Sequence, residues 1–196
     1  MRKFIRISSV AAVALAASAL TAQAQEKQVG ILAGATFATM TGDDISNTST
    51  VTSFAGGIYA LFPSSERFGF EVDALYAGKG VSDADNSDNK ITTGYIEIPV
   101  LARYGFTSVT DGIYLLGGGA VGFNISCNVS DTSGDVACSD TGFLETNTTF
   151  GVVVGAGFQK KRFGIEGRYD FDLGDTFKDF AAKNAVWEVM ARIAIK

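Results

Sequence analysis

Residues 94–104 read Gly-Tyr-Ile-Glu-Ile-Pro-Val-Leu-Ala-Arg-Tyr and alternate with a period of two. Ile96, Ile98, Val100, Ala102 and Tyr104 form one set; Tyr95, Glu97, Pro99, Leu101 and Arg103 form the other. In an extended strand the two sets point to opposite faces. One face is then apolar, and the other carries two opposite charges and a proline. Two environments accept such a strand. A soluble sheet turns the charges to water, whereas a membrane barrel turns the apolar face to lipid and the charges inward. The rest of the chain has to decide between them.

Seven more runs share the pattern, giving strands over 29–39, 51–62, 68–78, 90–106, 112–123, 146–158, 163–173 and 185–195. The polar segments 40–50, 79–89, 124–145 and 174–183 alternate with tight turns near 63–67, 107–111 and 159–162. This long-short rhythm is the form of an up-and-down barrel with short turns on one side of a membrane and longer loops on the other. The expected fold is all-β: an eight-stranded antiparallel up-and-down transmembrane β-barrel with a polar, filled lumen. An even strand count leaves both termini on the short-turn side. Runs of ten to twelve residues fit tilted spanning strands.

The charged faces supply the lumen. Glu71, Asp73, Glu97, Arg103, Glu166, Arg168, Asp170, Asp172, Glu188 and Arg192 all lie opposite the apolar sets of their strands. Eight strands leave an interior that side chains just fill, and buried charges must be paired. Glu71, Asp73, Glu97, Arg103, Glu166, Arg168, Asp170, Glu188 and Arg192 are therefore lumen ion-pair candidates, with Glu97 and Arg103 expected in one network. Carboxylates outnumber arginines, so tyrosine, serine or water must satisfy some of them. A closed barrel has no edge strand for Pro99, which should mark a bulge or a missing ladder bond. The competing fold is a soluble, lipocalin-like barrel whose apolar faces line a ligand cavity.

The N-terminus reads as a secretory signal. Arg2, Lys3 and Arg6 precede the apolar stretch 10–20, and Ala22-Gln23-Ala24 is an A-x-A cleavage site. Residues 1–24 are the expected signal peptide and 25–196 the barrel domain. Cleavage removes three positive charges, moving the formal charge from −5 to −8. That acidity argues against a nucleic-acid partner, which needs a basic surface. No later stretch reaches the roughly 20 apolar residues of a spanning helix. Cys127 and Cys138 share one polar segment. In an oxidising compartment they are a possible disulfide; two free thiols are the alternative.

The chain has no histidine, which removes Ser-His-Asp and Cys-His catalysis. Two same-face carboxylate pairs, Glu71 with Asp73 and Asp170 with Asp172, remain as acid-base candidates. Every inward position carries something polar, so they read better as lumen filling. Residues 117–122 match G-x-G-x-x-G, but no helix follows to complete a dinucleotide site. Residues 83–89 resemble the start of a calcium loop without its glycine, and position 94 is glycine rather than glutamate. A solvated acidic loop is the simpler reading. The sequons at Asn47, Asn124, Asn128 and Asn147 read as polar loop chemistry. No cofactor, metal ligand set or catalytic group is assigned.

At this point the sequence resembles a known family. Residues 94–104 are similar to the YLEIP-x-L-x-KY strand of outer membrane β-barrel domain proteins, the porin-family, OmpA/OmpX-like barrels of Bacteroidetes-type Gram-negative bacteria. Residues 71–80 resemble the family's E-L-x-Y-x-x-K-G strand end, residues 150–158 its FG-x-x-x-GAG strand, and residues 167–170 its RY strand. Such barrels usually end in an aromatic; here the end is Ala194-Ile195-Lys196. The resemblance implies a bacterial outer membrane location after secretion, with membrane lipid and the outer membrane insertion machinery as partners. The chain is expected to be monomeric. The expected role is non-enzymatic, structural or in surface interaction through the extracellular loops, with an unidentified surface ligand. A narrow pore for ions or small solutes is the competing membrane function.

Overall fold

The computed structural model describes residues 26–42, 47–86, 88–132, 134–138, 146–177 and 181–196. Residues 1–24 lie outside them. Among the described residues the chain forms β1 (Gln28–Thr41), β2 (Thr48–Pro63), β3 (Phe68–Asp83), β4 (Lys90–Gly105), β5 (Gly112–Asp131), β6 (Gly134–Ala137), β7 (Thr149–Lys160), β8 (Phe163–Asp172) and β9 (Lys183–Ala194). Eight of these close a barrel. Each pairs antiparallel with the next, β5 with β7 rather than β6, and β9 returns to β1. The short β6 folds back on the far end of β5, with Asp131 opposite Gly134.

The period-two sets fix the faces. Ile31, Ile58, Phe70, Val100, Leu115, Val152, Ile165 and Val189, one from each barrel strand, all stand exposed on the outside. A water-soluble monomer rarely exposes apolar patches of more than a few hundred Å², and here the apolar band runs around the whole ring. Outward aromatics flank it. Phe37, Phe54, Phe150 and Trp187 lie toward the long-loop end; Phe70, Tyr104, Phe106, Phe158 and Phe163 lie toward the short-turn end. Two aromatic girdles around an apolar band describe a barrel in lipid. The inward positions hold charges, so the lipocalin-like alternative, which needs an apolar cavity, is overturned.

Several strands run further than the sequence pattern indicates. The expected loop 79–89 shrinks to 84–89, because β3 continues through Lys79 to Asp83. The expected loop 124–145 loses residues 124–131 to β5 and contains β6. Strand β2 starts at Thr48 and β1 runs to Thr41, which shortens the loop expected over 40–50. A spanning strand needs about 9–11 residues; β5 has 20. The wall made by β2 to β5 therefore rises beyond the apolar band.

Pro99 faces inward and is buried. Around it the β3–β4 ladder jumps from Val72↔Val100 to Leu75↔Glu97 without changing register. The missing N–H interrupts the pairing and no bulge forms there. Register shifts occur higher in the wall, between Thr50 and Ala55 and between Gly94 and Tyr95. The G-x-G-x-x-G segment lies wholly inside β5.

Both ends of the barrel are covered. At the short-turn end, Val109 from the β4–β5 turn is 2% exposed and packs with Leu61, Tyr59 and Leu75. At the other end, Cys138, Phe177 and Ala182 from the loops meet Met40 and Val81 from the wall. Cys127 and Cys138 are disulfide-bonded, with Cα atoms 5.3 Å apart. Thr146 bridges to Phe177, and the Asn147 amide donates to the Thr176 carbonyl at 2.9 Å, tying the two long loops together.

Candidate functional site

The lumen separates into two charged layers. Nearer the short turns lie Arg103, Arg168 and Arg192, each no more than 1% exposed. An unpaired ion there would cost several kcal/mol, so the residues around them must answer their charge. Three carboxylates do. Glu71 receives Arg103 Nη1 at 3.0 Å, Arg168 Nη2 at 3.2 Å and Arg192 Nη2 at 2.8 Å. Glu166 receives Arg168 Nε at 2.5 Å and Arg192 Nη1 at 2.6 Å. Asp73 receives Arg168 Nη1 at 2.7 Å. Three guanidiniums and three carboxylates make this layer electrically balanced.

Aromatic and amide groups complete it. The Arg103 guanidinium stacks 3.5 Å from the Tyr114 ring centroid, and that of Arg192 4.1 Å from the Tyr59 centroid. Such stacking suits the planar, weakly hydrated guanidinium. The Tyr114 hydroxyl donates to Glu166 Oε2 at 2.5 Å. Gln159 Oε1 accepts from Arg103 Nη2 at 2.9 Å, and Gln159 Nε2 donates to Gln28 Oε1 at 2.9 Å. The ring of Tyr114 leaves no space opposite it: a Cβ at Gly157 would lie 2.3 Å from its hydroxyl oxygen. Gly30 stands in the same relation to Tyr59, with a Cβ 2.5 Å from the ring.

The second layer, toward the long loops, is centred on Lys79. Its Nζ lies 2.6 Å from Glu97 Oε1, 2.7 Å from Asp170 Oδ2 and 3.5 Å from Asp172 Oδ1. Asn184 Nδ2 donates to Asp172 Oδ2 at 2.8 Å and to Thr176 Oγ1 at 2.9 Å. Lys79, in a segment expected to be a loop, is therefore a lumen residue. The alternation Glu71, Asp73, Leu75, Ala77, Lys79 on one face carried that information. Glu97 and Arg103 do not share a network: Glu97 belongs to the lysine layer and Arg103 to the arginine layer. Glu188, expected in an ion pair, makes none among the described residues and accepts no hydrogen bond there.

Neither carboxylate pair is arranged for acid-base chemistry on a substrate. Glu71 is held by three arginines, and Asp170 and Asp172 both face Lys79. The acidic loop is occupied with its own turn: Asp83 Oδ1 accepts from the Asp85 amide at 2.8 Å, and Asn47 Nδ2 donates to Asp85 Oδ2 at 2.6 Å. On the opposite side of the barrel, Asp111 accepts from the Lys161 amide at 3.0 Å and pairs with Lys160 at 3.0 Å. The amide bond and the Lys160 ammonium hold its carboxyl below the usual range.

No curated protein is similar to the chain in sequence. The fold has close counterparts among solved structures. Ail, the attachment invasion locus protein of Yersinia pestis, superposes with a TM-score of 0.54 at 13% identity, over 87% of this chain and all of Ail. Ail has also been solved with the heparin analogue sucrose octasulfate. Neisserial surface protein A superposes with a TM-score of 0.54 at 14% identity, over 86% of this chain and 99% of that one. OprG of Pseudomonas aeruginosa gives 0.51 at 12% identity, over 88% and 97%. Residues 22–178 match the outer membrane protein beta-barrel domain. The charged lumen, the apolar girdled exterior and this match together make the chain a member of the outer membrane protein beta-barrel domain family, resident in the bacterial outer membrane.

Proposed function

We propose that the protein is a non-enzymatic, monomeric surface barrel that acts through its extracellular loops. Residues 1–24 serve as its signal peptide, and the outer membrane insertion machinery places it in lipid. The observation that carries this reading is the closure of the lumen. Val109 covers one mouth, an arginine-carboxylate layer and a lysine-carboxylate layer fill the middle, and the disulfide-stapled loop caps the other. What remains available for function is the outer rim. Among the described residues there, Asp83, Asp85, Asp88, Asp131, Asp135 and Asp175 are exposed, against Lys90 and the half-buried Lys183. This rim suits a cationic partner rather than a polysulfated one of the kind seen with Ail. The competing pore function is less well supported, because an eight-stranded lumen filled in this way leaves no open path.

Two measurements test this. Planar-bilayer recordings of the purified barrel should show no stepwise conductance; reproducible channels would favour the pore. Cells displaying the barrel should retain a fluorescent polylysine more than cells displaying a variant with Asp83, Asp85, Asp131 and Asp135 changed to Asn. Equal retention would remove the acidic rim as the contact surface.

A further inference from the structure

The two lumen layers differ in charge balance. The arginine layer is neutral, whereas in the lysine layer Glu97, Asp170 and Asp172 face the single ammonium of Lys79, and Glu188 stands at the boundary, opposite Arg168 on the ladder and within the field of Lys79. Lys79 directs itself at the first three. Glu188 is 3% exposed, and its Oε1 is buried without a hydrogen-bond partner among the described residues. Asp170 offers Oδ2 to Lys79, while its Oδ1 is buried and likewise unpartnered. Arg168, opposite Glu188 on the β8–β9 ladder, is already committed to Glu166, Asp73 and Glu71.

Neutral oxygens line the same half of the lumen. Thr93 Oγ1 and Asn184 Oδ1 are buried and unpartnered among the described residues, and the buried Tyr95 hydroxyl lies within reach of the Asn124 and Asn184 side chains; Tyr95, Thr93 and Asn184 are each no more than 3% exposed. Thr93 stands opposite Lys79 on the β3–β4 ladder. Asn184 stands two residues from Val186, which is opposite Asp170, and four from Glu188 on the same face of β9. A buried carboxylate without a partner is costly, and a threonine hydroxyl and an amide oxygen left without partners in the same half of the lumen add to that cost. An all-oxygen donor set is the environment of a hard cation, not of a thiolate- or imidazole-seeking metal. Among the described residues no three acidic or sulfur side chains converge on one point to hold a metal ion. That disfavours a divalent site and leaves an ion that needs only one or two carboxylates.

We propose that the extracellular half of the lumen binds one alkali cation, Na⁺ or K⁺, between Asp170 and Glu188, with neutral oxygens completing its shell. Lys79 is its covalently attached competitor: its ammonium already holds Glu97, Asp172 and the Oδ2 of Asp170, which leaves the ion Asp170 Oδ1 and Glu188 and limits uptake to one. The arginine layer below and the apolar cap above keep the ion from exchanging freely with bulk salt.

The test uses the full barrel, refolded in detergent at constant ionic strength in NaCl, KCl or N-methyl-D-glucamine chloride, whose cation is too large to enter. Thermal unfolding by circular dichroism should give a midpoint of the order of 3 °C higher in Na⁺ or K⁺ than in N-methyl-D-glucamine. ²³Na relaxation should report a bound fraction. Glu188→Gln and Asp170→Asn should lose the shift while keeping heat-modifiable gel migration. Should either fail to fold, Tyr95→Phe and Thr93→Val should reduce the shift without changing charge. Lys79→Met should enlarge it. Equal midpoints in all three salts for the wild type and Lys79→Met would overturn the proposal. So would a shift seen with CaCl₂ alone, or one undiminished in Glu188→Gln and Asp170→Asn. Stability that follows pH but ignores the cation would overturn it too, assigning the surplus charge to protons.

Discussion

Arg192 and Glu71, 121 residues apart in sequence, meet fork to fork across the lumen. Nη2 lies 2.8 Å from Oε2 and Nη1 3.3 Å from Oε1. Glu71 also accepts from Arg103 and Arg168, so one carboxylate anchors three strands' guanidiniums. Removing its charge leaves three buried cations sharing two carboxylates. Glu71→Gln should destabilise the barrel by about 3–5 kcal/mol, measured as a shift of the urea unfolding midpoint in lipid vesicles. Asp73→Asn, which disturbs a single contact, should cost clearly less. Equal losses would mean that the layer acts as a diffuse field rather than through Glu71.

Tyr114 has two separable roles, a ring beneath Arg103 and a hydroxyl that donates to Glu166 and accepts from Arg192 at 3.1 Å. Tyr114→Phe keeps the ring and should cost about 1–3 kcal/mol through unsatisfied charged partners. Tyr114→Leu loses the ring as well and should cost more. A Phe variant as stable as the wild type would show that the hydroxyl is dispensable.

The lipid-facing wall gives a prediction of opposite sign to that for a soluble barrel. Ile58 is 61% exposed, so in water Ile58→Lys would be harmless. In a bilayer a lysine near the midplane costs about 2–4 kcal/mol. Folding yields into vesicles should fall, while the same variant in short-chain detergent should fold nearly normally.

The disulfide joins cysteines 11 residues apart, and closing a loop of that size contributes roughly 3 kcal/mol in the chain-entropy account. Most of this should act on the cap. Cys127→Ser with Cys138→Ser should make the loop between β6 and β7 cleavable by protease added to intact cells. The barrel fragment should remain protected and heat-modifiable. Loss of the whole barrel would place the disulfide in the folding core instead.

Asp111 clasps two adjacent turns through a partly exposed carboxyl whose pKa is held down by the Lys161 amide and the Lys160 ammonium. A depressed carboxylate stabilises the folded state above its unfolded pKa and loses that contribution as pH falls through the folded value. The clasp should therefore be intact at neutral pH and release only below the ordinary aspartate range. Asp111→Ala should speed hydrogen exchange at the Lys161 amide at pH 7 without moving the global unfolding midpoint.

Much of this was legible in the chain. Period two with a charged face, repeated eight times, contains both the barrel and the direction of its faces, because a one-residue slip would put Glu71 or Arg103 into lipid. The pairing inside the lumen was not legible. Glu97, six residues away on the same strand, lies roughly 20 Å along it and out of Arg103's reach, and only the tilt and register of β3, β8 and β9 select Glu71 from the remaining carboxylates. Lys79 was lost for a different reason. Lys-Gly after an apolar run has the look of turn punctuation, and the strand's continuation depends on pairing with β4, which local composition does not encode. The contributions of Tyr59, Tyr114 and Gln159 follow from the surplus of carboxylates only once their neighbours are known.

The ladder between β1 and β9 joins the first strand to the last, with Gly30 opposite Ala194 and the Val29 amide donating to the Lys196 carbonyl at 2.7 Å. Until it forms there is no inside. Arg168 and Arg192 are carried on β8 and β9, and their partner Glu71 is far back on β3, so an open sheet would meet the hydrocarbon with its ions unmatched. A half-made wall is thus worth almost nothing to the chain, and the final strand's arrival converts every charge from a burden to a bond at once. Insertion and folding become one event, with a built-in penalty on any molecule that enters the membrane unfinished.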